Sequence, residues 1–128
     1  MRVLLTIAFV IVAATLAHSA DAPGSYSDAQ AEWKKHMDSA EYQTYSSEFA
    51  QFNNHFHLDE RGGCYALGKE QVGLMLVITH ANGAEFAVVQ DVLSDVDSPK
   101  AHCFIKSYLG LQTKVPPYVP FVLQMSMG

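Results

Sequence analysis

The stretch VGLMLVIT, residues Val72–Thr79, restricts this chain more than any other. In extended form it puts Val72, Leu74, Leu76 and Ile78 on one face and Val77 and Thr79 on the other. Its middle is apolar on both faces, which predicts a strand inside a sheet rather than at its border. A second run, EFAVVQDVL over 85–93, follows after Asn82-Gly83. That pair is a hairpin signal between two β-prone runs, so the two strands are expected to be antiparallel neighbours. The turn holds two or more residues, and the register is open by one.

Downstream, SDVDS (94–98) is rich in capping residues, and Pro99 suits the first position of a helix, where its missing N–H costs nothing. The helix is expected over 100–109, with Gly110 as a left-handed stop. Ala101, Phe104, Ile105 and Tyr108 form the face that covers the sheet, and Cys103 points away from it. Val115-Pro116-Pro117 ends the connection, and 118–127 (YVPFVLQMSM) reads as a last strand. Pro120 has no N–H for a ladder, which predicts an edge position. The sheet is therefore expected to have three antiparallel strands.

Upstream, Tyr42, Tyr45, Phe49, Phe52 and Phe56 recur at spacings of three and four, an aromatic packing stripe on a helix. Trp33, Met37 and Ala40 continue it backwards slightly out of phase. One long or kinked helix, or two, is expected over 28–58, capped by Asp28 and broken by Arg61-Gly62-Gly63. Residues 21–27, with Pro23-Gly24, are read as a mobile leader. The whole is one α+β domain over 28–128.

The first twenty residues differ in composition: a basic start at Arg2, an apolar run to Ala17, then small residues for cleavage at Ser19 or Ala20. They are read as a signal peptide, with an uncleaved anchor as the weaker alternative, because fifteen apolar residues fall short of the roughly 20 that a helix needs to span a bilayer. The expected location is periplasmic or secreted, with no stable membrane insertion after cleavage. The net charge of the 128-residue chain is −5, and loss of Arg2 makes it one unit more negative. With no Lys/Arg cluster, this speaks against nucleic acid and anionic membranes as partners. Cys64 and Cys103 are the only cysteines. In an oxidising compartment such a pair closes by default, so a disulfide is expected.

The order from 64 to 128, an apolar strand, an N-G turn, a second strand ending in VLSDVDS, a short helix, and KVPPYVP opening FVLQMSMG, resembles the TonB C-terminal family with its TolA-like periplasmic domains. Cys64-Tyr65 and Cys103 most resemble the subgroup closed by two cysteines. The long Pro/Lys-rich spacer of membrane-bound TonB proteins has no counterpart here, and an aromatic helix stands in its place. The resemblance implies a binding domain that recruits a protein or peptide by pairing it with an edge strand, in envelope transport or energy transduction. An edge strand does offer N–H and C=O groups to a partner. The residues expected to carry this are Tyr118, Val119, Phe121, Val122, Leu123, Gln124 and Met125. A structural strand covered by the long helix, or paired with a second copy in a homodimer, is the alternative for the same segment.

Catalytic signals are missing: no G-x-S-x-G, H-E-x-x-H or phosphate loop occurs, and no cofactor is implied. The second functional reading is an exported metal-binding protein. His55 and His57, with Asp59 or Glu60, supply ligand types suited to zinc or copper, although two residues of separation divides them on a helix. Met125 and Met127 offer thioethers to Cu(I), but serve equally as core filling. Asp91, Asp95 and Asp97 lack the spacing of a calcium loop, and Asp97 with Ser98 reads better as a helix cap. His80 and Glu85 are expected as an exposed cross-strand pair.

Overall fold

A computed structural model describes residues 22–128, apart from the side chains of residues 52–62. The expected signal segment, 1–20, lies outside the described residues. The elements are α1 (Tyr26–His36), α2 (Ala40–Tyr65), β1 (Val72–Thr79), β2 (Ala87–Ser94), α3 (Pro99–Tyr108), β3 (Gln112–Thr113) and β4 (Phe121–Met127).

All three described helices start on a serine. Ser25, Ser39 and Ser98 each accept a backbone N–H three residues on, from Asp28, Tyr42 and Ala101. The expected cap at Asp28 is thus corrected to Ser25, so helix begins inside the stretch read as a mobile leader; Asp28 sits in the first turn, where a carboxylate favours the helix dipole. Ser39 also separates α1 from α2. Its hydroxyl donates to the His36 carbonyl at 2.7 Å while it accepts from Tyr42 N–H at 3.1 Å, ending one helix and opening the next. The break explains why Trp33 is out of phase with the aromatic stripe: it belongs to another helix. α2 runs on through Arg61-Gly62-Gly63 to Tyr65, past the expected stop.

The sheet is antiparallel and has four strands, not three, in the order β3-β2-β1-β4. The added strand is two residues long, too short for alternation to mark it. It pairs Ala87 with Thr113 and Val88 with Gln112. β1 is central and buried at every position. β2 starts at Ala87, later than the sequence suggests, so residues 80–86 form a wide connection. Inside it Ala84 N–H bonds Ala81 C=O at 3.0 Å, and Gly83 at φ +72° takes the position that demands a left-handed residue. α3 matches expectation, with Pro99 in its first turn and Gly110 at φ +79° after its end.

Both faces of β1 are covered. Val72, Leu74, Leu76 and Ile78 join Ala101, Phe104 and Tyr108 of α3, Tyr42, Tyr45 and Phe49 of α2, and Phe121 and Leu123 of β4 in the main core. On the reverse face Met75 and Val122 meet Ala29, with Tyr26, Trp33 and Leu93 around them. α1 therefore lies on one side of the sheet and α2 with α3 on the other. Each large aliphatic buried this way contributes about 1.5–3 kcal/mol.

Two local devices fasten the layers. Cys64, at the end of α2, is bonded to Cys103 of α3, with Cα atoms 5.5 Å apart and a sequence separation of 39. At the start of β1, Gly73 N–H bonds Asp95 Oδ1 at 2.8 Å and its carbonyl accepts Asp95 N–H at 3.1 Å. A Cβ at this position would stand 2.8 Å from Asp95 Oδ2 and 2.9 Å from the Tyr26 hydroxyl, so a glycine is required by close approach.

Two outcomes follow. Closing a loop of this length stabilises by about 4 kcal/mol in the chain-entropy model, so Cys103→Ser is expected to lower the unfolding free energy by that order in urea titrations. Gly73→Ala is expected to cost about 1–3 kcal/mol by overpacking, read as a lower urea midpoint with unchanged slope.

Candidate functional site at the β4 edge

Among the described residues, β4 has β1 on one side and no strand on the other. Its register with β1 runs from Ile78 opposite Phe121 to Val72 opposite Met127. Tyr118 and Val119, expected in the same strand, precede it: β4 begins at Phe121, after the cis Val119–Pro120 peptide. The Tyr118 ring instead stacks on His36 at 4.2 Å between centroids and tilts against Phe121 at 5.0 Å, filling the angle between α1 and the sheet.

Gln124 identifies the outward groups. Its N–H points away from β1, to the Tyr42 hydroxyl at 3.4 Å. In an antiparallel ladder, alternate residues turn N–H and C=O to the same side, so Val122 and Ser126 face outward with Gln124, while Phe121, Leu123, Met125 and Met127 pair with β1. Among the described residues, Gln124 N–H is the one outward group of this edge with a side-chain partner.

Tyr42 reaches that position around the border of the sheet. Its ring stacks on Phe121 at 5.5 Å and an interplanar angle of 12°, on the main-core face. Its hydroxyl also accepts Trp33 Nε1–H at 2.9 Å, from the helix on the reverse face. The α1–α2 pair thus wraps the edge, fastened at one oxygen. Beyond Tyr42, a groove of about 210 Å³ opens between α2 and the second half of β4, lined by Ser46, Phe49, Ala50 and residues 123–126. Among the described residues its lining carries no charged side chain, on a protein whose net charge is −5.

The opposite border is less open to pairing. Past two-residue β3, the Val92 N–H of β2 is taken by the Asp91 carboxylate at 2.8 Å. A charged side chain beside a strand edge discourages addition.

A second cavity, of about 410 Å³, lies on the other flank of α2, lined by Ala40, Glu41, Thr44, Tyr45, Glu48, Lys114, Val115 and Pro117. Its charges are partly paired: Lys114 Nζ lies 2.9 Å from Glu48. The Tyr45 hydroxyl donates to Lys114 C=O at 2.6 Å and lies 3.1 Å from Thr113 Oγ1. Burial pushes the Tyr45 phenol up, and the Thr113 hydrogen bond opposes the shift.

The other expected residues separate. Met125 and Met127 pack with the main core. Asp91, Asp95 and Asp97 serve Val92 N–H, Gly73 N–H and the His102 ring respectively, so they form no common site. His80 lies against Ala81 C=O through Nδ1. The His55, His57, Asp59 and Glu60 side chains lie outside the described part of α2. Among the described residues no group of three or more His, Cys, Asp or Glu is arranged to hold a metal ion, and no helix is long and apolar enough to cross a membrane. Trp33 and Tyr42, the two residues that fasten the edge, were not singled out as a site by sequence. They belong to different helices, and nothing in their spacing across Ser39 signals a shared oxygen.

No protein-family model matches this chain, and neither a curated protein nor a solved structure is significantly similar to it.

Burial pushes the Tyr118 phenol up to about 12, with the neighbouring Tyr42, Glu41 and Glu32 adding to the shift. A phenol raised in the folded state holds its proton more tightly there than in the unfolded chain. Its contribution is complete below the ordinary value of about 10 and is lost as pH rises toward 12. Thermal melts are therefore expected to fall over that window, and Tyr118→Phe is expected to flatten the fall.

Proposed function

We propose that this chain is an exported, non-catalytic binding domain that takes an extended segment of a protein or peptide partner along the outer edge of β4. The observation that carries this reading is the pairing of a strand edge with a groove whose described lining is uncharged: Val122, Gln124 and Ser126 turn main-chain groups outward, and Phe49, Ala50, Leu123 and Met125 line the space beside them. Main-chain pairing supplies affinity in strand addition, and a groove for alternate side chains supplies selectivity.

The resemblance of residues 64–128 to TonB C-terminal domains belongs to the same proposal, as do a periplasmic or secreted location and a role in envelope transport or energy transduction. What supports it is the order of two strands, a helix, the two-residue β3 and a proline-led final strand at a sheet edge. The helix pair upstream of that segment covers both faces of the sheet instead of forming a spacer.

A fluorescein-labelled Thr-Val-Thr-Val-Thr peptide, capped at both ends, is a suitable probe for fluorescence anisotropy. Saturable binding is expected with the native protein. Ser126→Pro removes an outward N–H and leaves the pairing to β1 in place, so it is expected to weaken binding about tenfold or more at an unchanged melting temperature. Equal affinity for the two proteins, or no saturation with the native one, overturns the reading.

A further inference from the structure

The outward groups of β4 are not equally accessible. Gln124 N–H meets the Tyr42 hydroxyl at 3.4 Å, longer than the usual range of about 2.7–3.2 Å, whereas Trp33 Nε1 reaches the same oxygen at 2.9 Å. The hydroxyl is held firmly by α1 and loosely by the strand. It also occupies the place of an incoming carbonyl, since a strand added about 4.8 Å from β4 would aim its own C=O at that N–H. With the hydroxyl in place, an added strand running from the open end of the groove meets the outward groups of Ser126 and stops. With it withdrawn, the strand continues past Gln124 to Val122.

We infer that the Trp33–Tyr42 pair is a releasable clasp over the sheet edge, and that its displacing partner is an uncharged extended segment with small apolar side chains turned toward α2. The inference rests on the proposal that β4 accepts a strand, and adds what controls access and which chemistry passes. An α-helix bonds its main-chain groups internally and so has none to offer the outward groups of Ser126 and Gln124. A charged side chain entering the groove would lose hydration against Phe49, Ala50, Leu123 and Met125 and find no ionic partner among the described residues of the lining. On release, Gln124 N–H exchanges a long bond to a phenol for a bond to a carbonyl. Tyr42 packs in the main core with its ring on Phe121, and Trp33 packs against both clusters.

Tyr42→Phe deletes the hydroxyl and keeps the ring on Phe121. Amide exchange measured by NMR is expected to accelerate at Gln124 about three- to tenfold, the worth of one hydrogen bond, and to stay constant at Leu123, which faces β1. Affinity for the Thr-Val-Thr-Val-Thr probe is expected to rise by a similar factor. Trp33→Phe, which leaves the hydroxyl but removes its anchor, is expected to shift both readouts the same way by less; it also serves as the test if Tyr42→Phe does not fold. A peptide with Glu in place of Val is expected to bind neither protein. Unchanged exchange at Gln124, or equal probe affinity for the variants and the native chain, overturns the clasp. Accelerated exchange at Gln124 without probe binding to any of the proteins overturns strand acceptance while leaving the hydroxyl's hold on the edge in place.

Discussion

The structure depends on burying both faces of one strand. β1 contributes eight consecutive buried residues, and a strand of that kind is stable only with neighbours on both edges and cover above and below. β2 and β4 supply the edges. α3 and the aromatic part of α2 cover Leu74, Leu76 and Ile78, and α1 covers Met75. With helices needed on opposite faces, the chain between α1 and α2 has to pass a border of the sheet, and it passes at β4.

That crossing shapes the candidate site. α2 meets the sheet through Tyr42, Tyr45 and Phe49, long side chains that bridge to Phe121 and to the segment at Thr113. Cavities lie on both flanks of this aromatic row, one beside Lys114 and one beside the second half of β4. The groove is therefore a consequence of how the domain covers its core, and the Tyr42 hydroxyl at the sheet border follows from the same arrangement. Edge strands are commonly blunted by charge, proline or cover. Here Asp91 blunts β2 and a single phenol covers the middle of β4.

Features governed by neighbours in sequence were legible. The central strand was marked by its apolar pattern and α3 by Ser98-Pro99 and Gly110; the last strand stands at the sheet edge as expected, although Pro120, from which that was argued, precedes it. The disulfide between Cys64 and Cys103 was expected from the cysteine count together with the reading of an oxidising compartment. The misses share a cause. β3 exists because Gln112 and Thr113 are delivered to β2 by the turn after α3, with no pattern of their own. Tyr118 and Val119 carry strand-forming side chains, yet packing on His36 draws the Tyr118 ring away from the strand line. Ser25 rather than Asp28 caps α1 because the cap depends on which backbone N–H lies in reach of a side-chain oxygen. Among the candidate residues, Gln124 and Leu123 were named for their place in a strand, whereas Trp33 and Tyr42 were recognised only as members of an aromatic pattern.

By itself the sequence determined the class of the domain, the central place of Val72–Thr79, the covalent link and the exposure of one strand border, because each follows from local sterics, apolar periodicity or thiol chemistry. Only the tertiary structure decided what lies against that border. Trp33, Tyr42 and Gln124 meet from three separate elements, 9 and 82 residues apart along the chain, and a contact of that range is set by the joint packing of helices and sheet, which no short window of residues encodes.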